Sequence, residues 1–156
     1  MSSASIQTLS LMKDSHVLHH ELNHYVMRVY GVFPTWLSEG LAEYVGWQPS
    51  TISDLQVPTA TYDKIVKAAD TNELPPSAAF QASADVNYPI AQGAVTYLVK
   101  TCSIQGVLDL VKSYKGHAQV GSGDGYTRTA LQDVCHTTQA EVAAGALAEV
   151  KTLHQY

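Results

Sequence analysis

The sequence has few charged residues, few cysteines and no long apolar run. Only 15% of its 156 residues are charged, 46% are hydrophobic, and the formal net charge is −5. This composition is typical of a globular protein, and residues 1–156 are most simply a single domain. No apolar stretch approaches the roughly 18 residues that a membrane-spanning helix needs, so we expect no membrane span. The negative charge and the lack of a basic run argue against a nucleic-acid partner.

Several localisation and binding motifs are also missing. The first residues have neither a basic n-region nor an apolar h-region, so the sequence predicts no signal peptide. The glycine-rich segment 116–125 has no phosphate-binding context and is predicted to be a loop. Cys102 and Cys135 lack C-x-x-C spacing. They either pair in one disulfide, which would indicate an oxidising, extracytoplasmic compartment, or remain two buried thiols, so the localisation stays open.

What the sequence does contain is an H-E-x-x-H motif that begins at His20. In an α-helix, residues four apart differ by about 40° in direction and about 6 Å in height, so His20 and His24 can direct both imidazoles at one metal ion. Glu21 is rotated by about 100° and can hold a metal-bound water instead of the metal. His16 extends the row, but it lies about 12 Å from His24 along the axis and is expected at the edge of the site. His19 is off this face and is more simply a surface or packed histidine.

A second motif, W-L-S-E-G-L-A-E-Y, starts at Trp36 and carries two carboxylates. Glu39 and Glu43 are four residues apart, so on a helix they lie on one face. Unpaired carboxylates are costly on a helix otherwise rich in Trp, Leu, Ala and Tyr, and a metal together with a metal-bound histidine would pair both. The motif therefore offers a carboxylate for a third metal-ligand position. Glu43 either accepts a hydrogen bond from the far nitrogen of a ligand histidine or faces solvent.

Together the two motifs resemble those of the gluzincin metallopeptidases, and among them the compact proteins of the peptidase MA-like kind. In that family the two histidines of H-E-x-x-H and the Glu of W-L-x-E-G-x-A-x-Y hold a zinc ion. The resemblance implies a mainly α, zincin-like domain with one Zn²⁺ per chain, held by His20, His24 and Glu39. It also implies that Glu21 acts as the general base toward a metal-bound water.

The same resemblance implies a hydrogen-bond donor to the oxyanion from beyond the metal motifs. Tyr88, next to a predicted loop, is the candidate, and a tyrosine packed at a helix start is an equally simple reading. The implied function is a zinc-dependent peptidase acting on peptides or proteins. Because no G-A-M-E-N element of the aminopeptidases is present, we expect an endopeptidase. Two alternatives stay open: a zinc-binding but catalytically weak fragment that lacks an upstream region, and a non-enzymatic helical module that retains the motif.

Hydrophobic periodicity and cap residues predict a mainly helical fold with at most one short N-terminal strand. The strand candidate is segment 4–12, where apolar and polar residues partly alternate. Gly31 is expected to end the first helix, and Thr137 or Thr138 with Glu141 forms a capping-box pattern at the start of the last helix. The predicted helices are 15–30, 35–46, 61–70, 88–102, 105–114, 126–135 and 138–154, and the predicted loops include 47–60 and 81–87.

Overall fold

Helices form most of the part of the chain that the computed structural model describes, which is residues 3–117 and 124–156, with side chains from residue 15 onward. The α-helices are α1 (Ser3–Met27), α2 (Thr35–Gly46), α3 (Thr59–Ala69), α4 (Ala84–Ser113), α5 (Thr127–Ala130) and α6 (Gln139–Val150). Single 3-10 segments cover Arg28–Tyr30, Ile52–Asp54, Ser77–Ser83 and Asp124–Tyr126, and a π-helical turn covers Leu131–Cys135. Strands β1 (Gln56–Val57) and β2 (His154–Gln155) pair in parallel. The prediction of a mainly α fold is confirmed. The prediction of at most one short N-terminal strand is wrong, because the backbone N–H groups of His154 and Tyr156 donate hydrogen bonds to the carbonyls of Leu55 and Val57 and so form two strands elsewhere in the chain.

The N-terminal segment is helical, so the predicted strand at 4–12 is wrong. This segment is the first part of α1. No glycine or proline interrupts the chain between Ser3 and Met27, and elongation of an existing helix is favourable at each added residue. A partial alternation of residue types does not outweigh that continuity. Gly31, with a φ of 95°, follows the 3-10 segment after α1 and ends the helical path, as predicted.

The helix predicted for the second motif is confirmed, and the two predicted core helices are parts of one longer helix. α2 matches the predicted 35–46. α4 covers the two helices predicted at 88–102 and 105–114, and Ser103 lies between them with a non-helical φ of 68° and ψ of 165°. The predicted loop at 81–87 is wrong, because a 3-10 segment leads directly into α4.

The C-terminal part differs mainly in where its helix stops. Thr138 and Glu141 form the predicted capping box, in which each side chain accepts a hydrogen bond from the other residue's backbone N–H. The helix predicted for 138–154 ends at Val150, since the chain then forms β2. Of the predicted glycine-rich loop, residues 118–123 lie outside the described residues.

α4 is the central helix of the core and packs between α2 and α6. Leu41 of α2, Val95 and Leu98 of α4, and Val142 of α6 are each at most 1% exposed. The segment Ser77–Ser113, which contains α4, is long and apolar enough to cross a membrane by length and composition alone. Packing against α2 and α6 accounts for part of that composition, since 39% of the apolar window is buried inside the fold.

Gly40 allows α2 to approach α4 closely. A Cβ atom at Gly40 would overlap the carbonyl oxygen of Ala91 and lie 2.9 Å from Cγ2 of Val95. We expect Gly40→Ala to lower the free energy of unfolding by about 1–3 kcal/mol, because backbone and packed side chains must move apart. Urea unfolding measures the change. Gly125→Ala is the matched control, since no atom of the described residues lies within 4 Å of its Cβ position. Equal losses in the two variants would contradict the close helix contact.

Cys102 and Cys135 form a disulfide, so the paired alternative is the one that the structure contains. Their Cα atoms lie 5.3 Å apart, and the bridge joins the middle of α4 to the end of the π-helical turn. The two cysteines are separated by 33 residues, so the bridge restricts the unfolded chain and thereby stabilises the fold.

The outer face of α1 carries large apolar side chains that are exposed. Leu18, Leu22 and Tyr25 are 64%, 53% and 70% exposed. Val29, just past the end of the helix, is 66% exposed. The opposite side of α1 packs on α2, and within the described residues nothing covers the outer face. Apolar surface of this extent is unusual on an isolated monomer.

Candidate metal centre

The packing of α1 on α2 brings His20, His24 and Glu39 together. Nε2 of His24 lies 3.0 Å from Nε2 of His20 and 3.2 Å from Oε2 of Glu39. Nε2 of His20 lies 3.4 Å from the same carboxylate oxygen. Ligand atoms bound to zinc at about 2.0–2.1 Å in a tetrahedron are separated from one another by about 3.3–3.4 Å. The spacing of these three atoms therefore fits one tetrahedrally bound ion.

A second group of described residues is also close enough to hold a metal ion: His16, His20 and Glu43. Nδ1 of His20 lies 3.0 Å from Oε1 of Glu43, and Nε2 of His16 lies 3.1 Å from Oε2. Trp47 donates a hydrogen bond of 2.8 Å from Nε1 to that same Oε2. Because Oε2 of Glu43 already accepts a hydrogen bond from Trp47, which is not a metal ligand, the group around Glu39 is the better candidate for a metal site.

Glu43 supports His20 from the side opposite to Glu39. The contact of Oε1 with Nδ1 has the length of a hydrogen bond, although the N–H is poorly aligned with the oxygen. A carboxylate at this position favours the tautomer that carries its hydrogen on Nδ1, which leaves Nε2 available to a metal. Of the two alternatives for Glu43, the structure has the one that faces the histidine.

Trp47 and His16 both contact Glu43. From the sequence, Trp47 had no assigned role, and His16 was expected only at the edge of the site. The ring of Trp47 stacks on His16 with 4.1 Å between centroids, while its Nε1 is bonded to Glu43. A Cβ atom at Gly46 would lie 2.7 Å from Cδ2 of His16, so the glycine leaves the space that this ring occupies. The signal that could have indicated Trp47 is its position four residues after Glu43, on the same helical face.

Imidazoles and carboxylates balance one another's charge in the metal-free centre. Hydrogen bonds to Glu39 and Glu43 raise the pKa of His20 to about 9, against the opposing effect of burial. Burial acts to raise the pKa of Glu39, but hydrogen bonds from His20 and His24 outweigh it and lower that pKa to about 2. At neutral pH, without metal, His20 is therefore protonated and Glu39 is ionised.

These shifts set how the metal-free protein responds to pH. The contribution of His20 is complete below its ordinary pKa of 6.5 and is lost as the pH rises through about 9. The contribution of Glu39 is complete above its ordinary value of 4.5 and is lost as the pH falls through about 2. The ion pair between His20 and Glu39 thus stabilises the metal-free fold most between the two ordinary pKa values, 4.5 and 6.5.

Metal binding must displace the proton from Nε2 of His20, because only an unprotonated imidazole nitrogen binds a metal ion. We expect about one proton to be released per ion bound near neutral pH. The release should fall toward zero as the pH passes the pKa of about 9. Isothermal titration calorimetry in two buffers of different ionisation enthalpy measures the number of protons. Binding without proton release near neutral pH would contradict the protonated state of His20.

Glu21 lines an open cleft beside these residues. The cleft has a volume of about 340 Å³, and its walls include His24, Glu39 and Arg28 as well as Glu21. Glu21 is exposed, and its direction on α1 differs by about 100° from that of His20. It lines the cleft and is not in either group of converging ligand atoms.

Tyr88 lies at the edge of the centre. Its ring centroid is 6.2 Å from that of His20, and it interacts with the carboxylate of Glu39. Burial raises the pKa of Tyr88, so the phenol remains a neutral hydrogen-bond donor. Ser38, which the sequence analysis did not single out, places Oγ 3.3 Å from Nδ1 of His24. His19 is exposed, as expected for a residue off the metal-facing side of α1.

The structure thus brings most of the predicted site residues into one cluster, namely His20, His24, Glu39, Glu43 and Tyr88, with Glu21 in the adjacent cleft. Comparison of the chain with models of protein families, with curated proteins and with solved structures finds no match. The sequence motifs and the geometry of the centre are therefore the basis for a function.

Proposed function

We propose that this protein is a zinc-dependent peptidase of the gluzincin type, with a zincin-like arrangement of α1 and α2. The observation that supports it is the 3.0–3.4 Å spacing of Nε2 of His20, Nε2 of His24 and Oε2 of Glu39. Two imidazoles and a carboxylate at tetrahedral spacing suit zinc. Three protein ligands leave a fourth position for water, which is the arrangement of catalytic zinc sites, whereas structural sites use four protein ligands.

The residues around the centre have the chemistry that peptide hydrolysis needs. A bound zinc ion would lower the pKa of a water to about 7 and polarise the peptide carbonyl. Glu21 accepts the proton of the attacking water and passes it to the leaving amine. Tyr88 donates a hydrogen bond from its hydroxyl group to the oxyanion. Glu43 holds Nδ1 of His20 and so keeps Nε2 directed at the metal.

The proposed substrate is a peptide or protein cut within its chain, and the open cleft beside Glu21 supports this over removal of single end residues. The disulfide between Cys102 and Cys135 supports an oxidising, extracytoplasmic location.

Digestion of a mixed peptide library tests the function directly. Zinc-loaded protein and protein stripped with a chelator are incubated with the library, and the products are identified by mass spectrometry. We expect new internal cleavage sites with the zinc-loaded protein and none with the stripped protein, with activity restored by added zinc. Zinc binding at one equivalent without any cleavage would overturn the peptidase assignment.

A zinc-binding protein of weak or no activity is the second candidate. The observation that favours it is the exposed apolar face formed by Leu18, Leu22, Tyr25 and Val29, which suggests that a complete substrate site needs a further partner. Stoichiometric zinc binding without hydrolysis would support this candidate. Failure to bind zinc at all would point instead to a helical module that retains the motif without its chemistry.

A further inference from the structure

The exposed apolar side chains of α1 form a stripe along the helix. Leu18, Leu22, Tyr25 and Val29 follow one another at intervals of four, three and four residues. An average interval near 3.5 residues keeps side chains on the side of a helix that faces a neighbouring helix. We call these four residues the α1 stripe. Each of them is more than half exposed, so the stripe has the pattern of a helix-packing surface but is accessible in the single chain.

The α1 stripe lies on the opposite side of the helix from the metal centre. Leu22 is rotated by about 200° from His20, and Val29 by about 180°. The packing of α1 on α2 therefore occupies the His20 side and leaves the stripe exposed. A helix that docked on the stripe would not displace the converging atoms of His20, His24 and Glu39.

One charged residue of each sign lies along the same edge of the stripe. Glu21 and Arg28 are seven residues apart, so they point in nearly the same direction and are separated by about 10 Å along the helix. Both are exposed, and neither forms an ion pair within residues 15–117 and 124–156. Charges at the edge of an apolar helix contact determine which helices pair and in which direction.

The apolar side chains of the stripe are complementary to a second copy of themselves. When two copies of α1 pack antiparallel about a two-fold axis, Leu18 can lie opposite Val29 and Leu22 opposite Tyr25. The axis repeats each contact, so one arrangement covers all four side chains in both copies.

The two charges fit the same antiparallel register. Glu21 of each copy then lies within about 3 Å, measured along the axis, of the level of Arg28 in the other copy. Both glutamates and both arginines are therefore paired at once. A parallel arrangement would place Glu21 beside Val26 instead and would pair neither charge.

We infer that the α1 stripe is a dimer interface, on which a second copy of this chain docks antiparallel with Glu21 of each copy paired to Arg28 of the other. The inference goes beyond the proposed function, because it concerns the side of α1 that faces away from the metal ligands. Glu21 and Arg28 also line the cleft beside the centre. The dimer brings the Arg28 of one copy to the Glu21 of the other, so Glu21 is free to act as the proposed base only in the dissociated chain.

The oligomeric state of the full chain tests the interface. Wild-type protein is measured by analytical ultracentrifugation at concentrations up to about 100 μM, which detects a dimer with a Kd in the micromolar range. Leu22→Asp should raise that Kd at least about tenfold, because it places a carboxylate in the centre of the apolar contact. Ile104→Asp, at an exposed aliphatic position on α4, is the matched control and should dimerise as the wild type does.

Two charge variants test the antiparallel pairing. In Arg28→Glu each pair across the axis becomes two glutamates, and in Glu21→Arg it becomes two arginines. Each variant alone should dimerise at least about tenfold more weakly than the wild type, because like charges are then opposed. An equimolar mixture of the two should form a heterodimer in which both opposite-charge pairs are restored. Recovery in the mixture requires both variants to be folded, so unfolding cannot produce this result.

Three results would overturn the inference. A wild-type chain that stays monomeric up to about 100 μM would leave the stripe to a partner other than a second copy. A dimer that Leu22→Asp does not weaken would use another surface. Weakened charge variants that do not associate when mixed would exclude the antiparallel pairing. None of these measurements uses hydrolysis, so the dimer and the proposed peptidase can fail independently.

Discussion

Glu21→Gln is expected to keep one zinc ion per chain and to lower peptide hydrolysis by about 10²–10⁴-fold, the usual contribution of a general acid–base group. The amide has nearly the shape of the carboxylate, but it cannot accept the proton of the attacking water. Because Glu21 is exposed in the cleft and is not among the converging ligand atoms, its loss should leave zinc affinity and stability close to the wild-type values. The measurements are zinc content by elemental analysis and kcat/KM on a cleaved peptide.

Glu73→Gln is the control for Glu21→Gln, because Glu73 is another exposed glutamate outside the cleft around the centre. It should retain full activity. Equal activity of Glu21→Gln and wild type would remove Glu21 from the mechanism. Loss of zinc from Glu21→Gln would instead place its carboxylate in the metal-binding set.

The two carboxylates of α2 should respond differently to replacement by glutamine. Glu43→Gln should weaken zinc binding by about 10–100-fold, the usual effect of losing the partner of a ligand histidine. Glu39→Gln should weaken it further than that, because one of the three ligand atoms is lost. Each variant serves as a control for the other, because both positions lie on one helix and both side chains are partly buried. The Glu39 side chain is 15% exposed and the Glu43 side chain 13%.

Thermal unfolding gives a second measurement for the same pair. At a zinc concentration of about 100 times the wild-type Kd, binding should stabilise the wild-type protein by about 2.7 kcal/mol. The gain should be smaller in Glu43→Gln and nearly absent in Glu39→Gln. A larger loss in Glu43→Gln than in Glu39→Gln would mean that the ion occupies the group formed by His16, His20 and Glu43.

Much of the centre could be predicted because it depends on local helical geometry. The four-residue spacing of His20 and His24 fixes their common direction in any α-helix, and the same holds for Glu39 and Glu43. The helix at 35–46 follows from its apolar pattern and from the preceding Pro34, and it is confirmed. The start of α1 was mispredicted because a short segment of partly alternating residues fits a strand as well as the end of a long helix.

Other features depend on contacts between residues far apart in the chain. The stacking of Trp47 on His16 requires α1 and the end of α2 to meet, which Gly46 permits. The pairing of Cys102 with Cys135 requires the break in α4 and the π-helical turn to lie together. A cavity beside Tyr88 combines the β1 region with the start of α4. The hydrophobic periodicity of the sequence does not indicate which of these distant segments come into contact.

The sequence by itself determined a mainly helical protein and the faces of α1 and α2 on which imidazoles and carboxylates lie, because side-chain direction along a helix follows from residue number alone. Only the tertiary structure decided which carboxylate meets which nitrogen. The packing of α1 on α2 places Oε2 of Glu39 among the Nε2 atoms and Oε1 of Glu43 against Nδ1 of His20. The close approach of α2 to α4 at Gly40 fixes the position of α2 in the core. That packing depends on side chains from several segments at once, so local sequence patterns could not supply it.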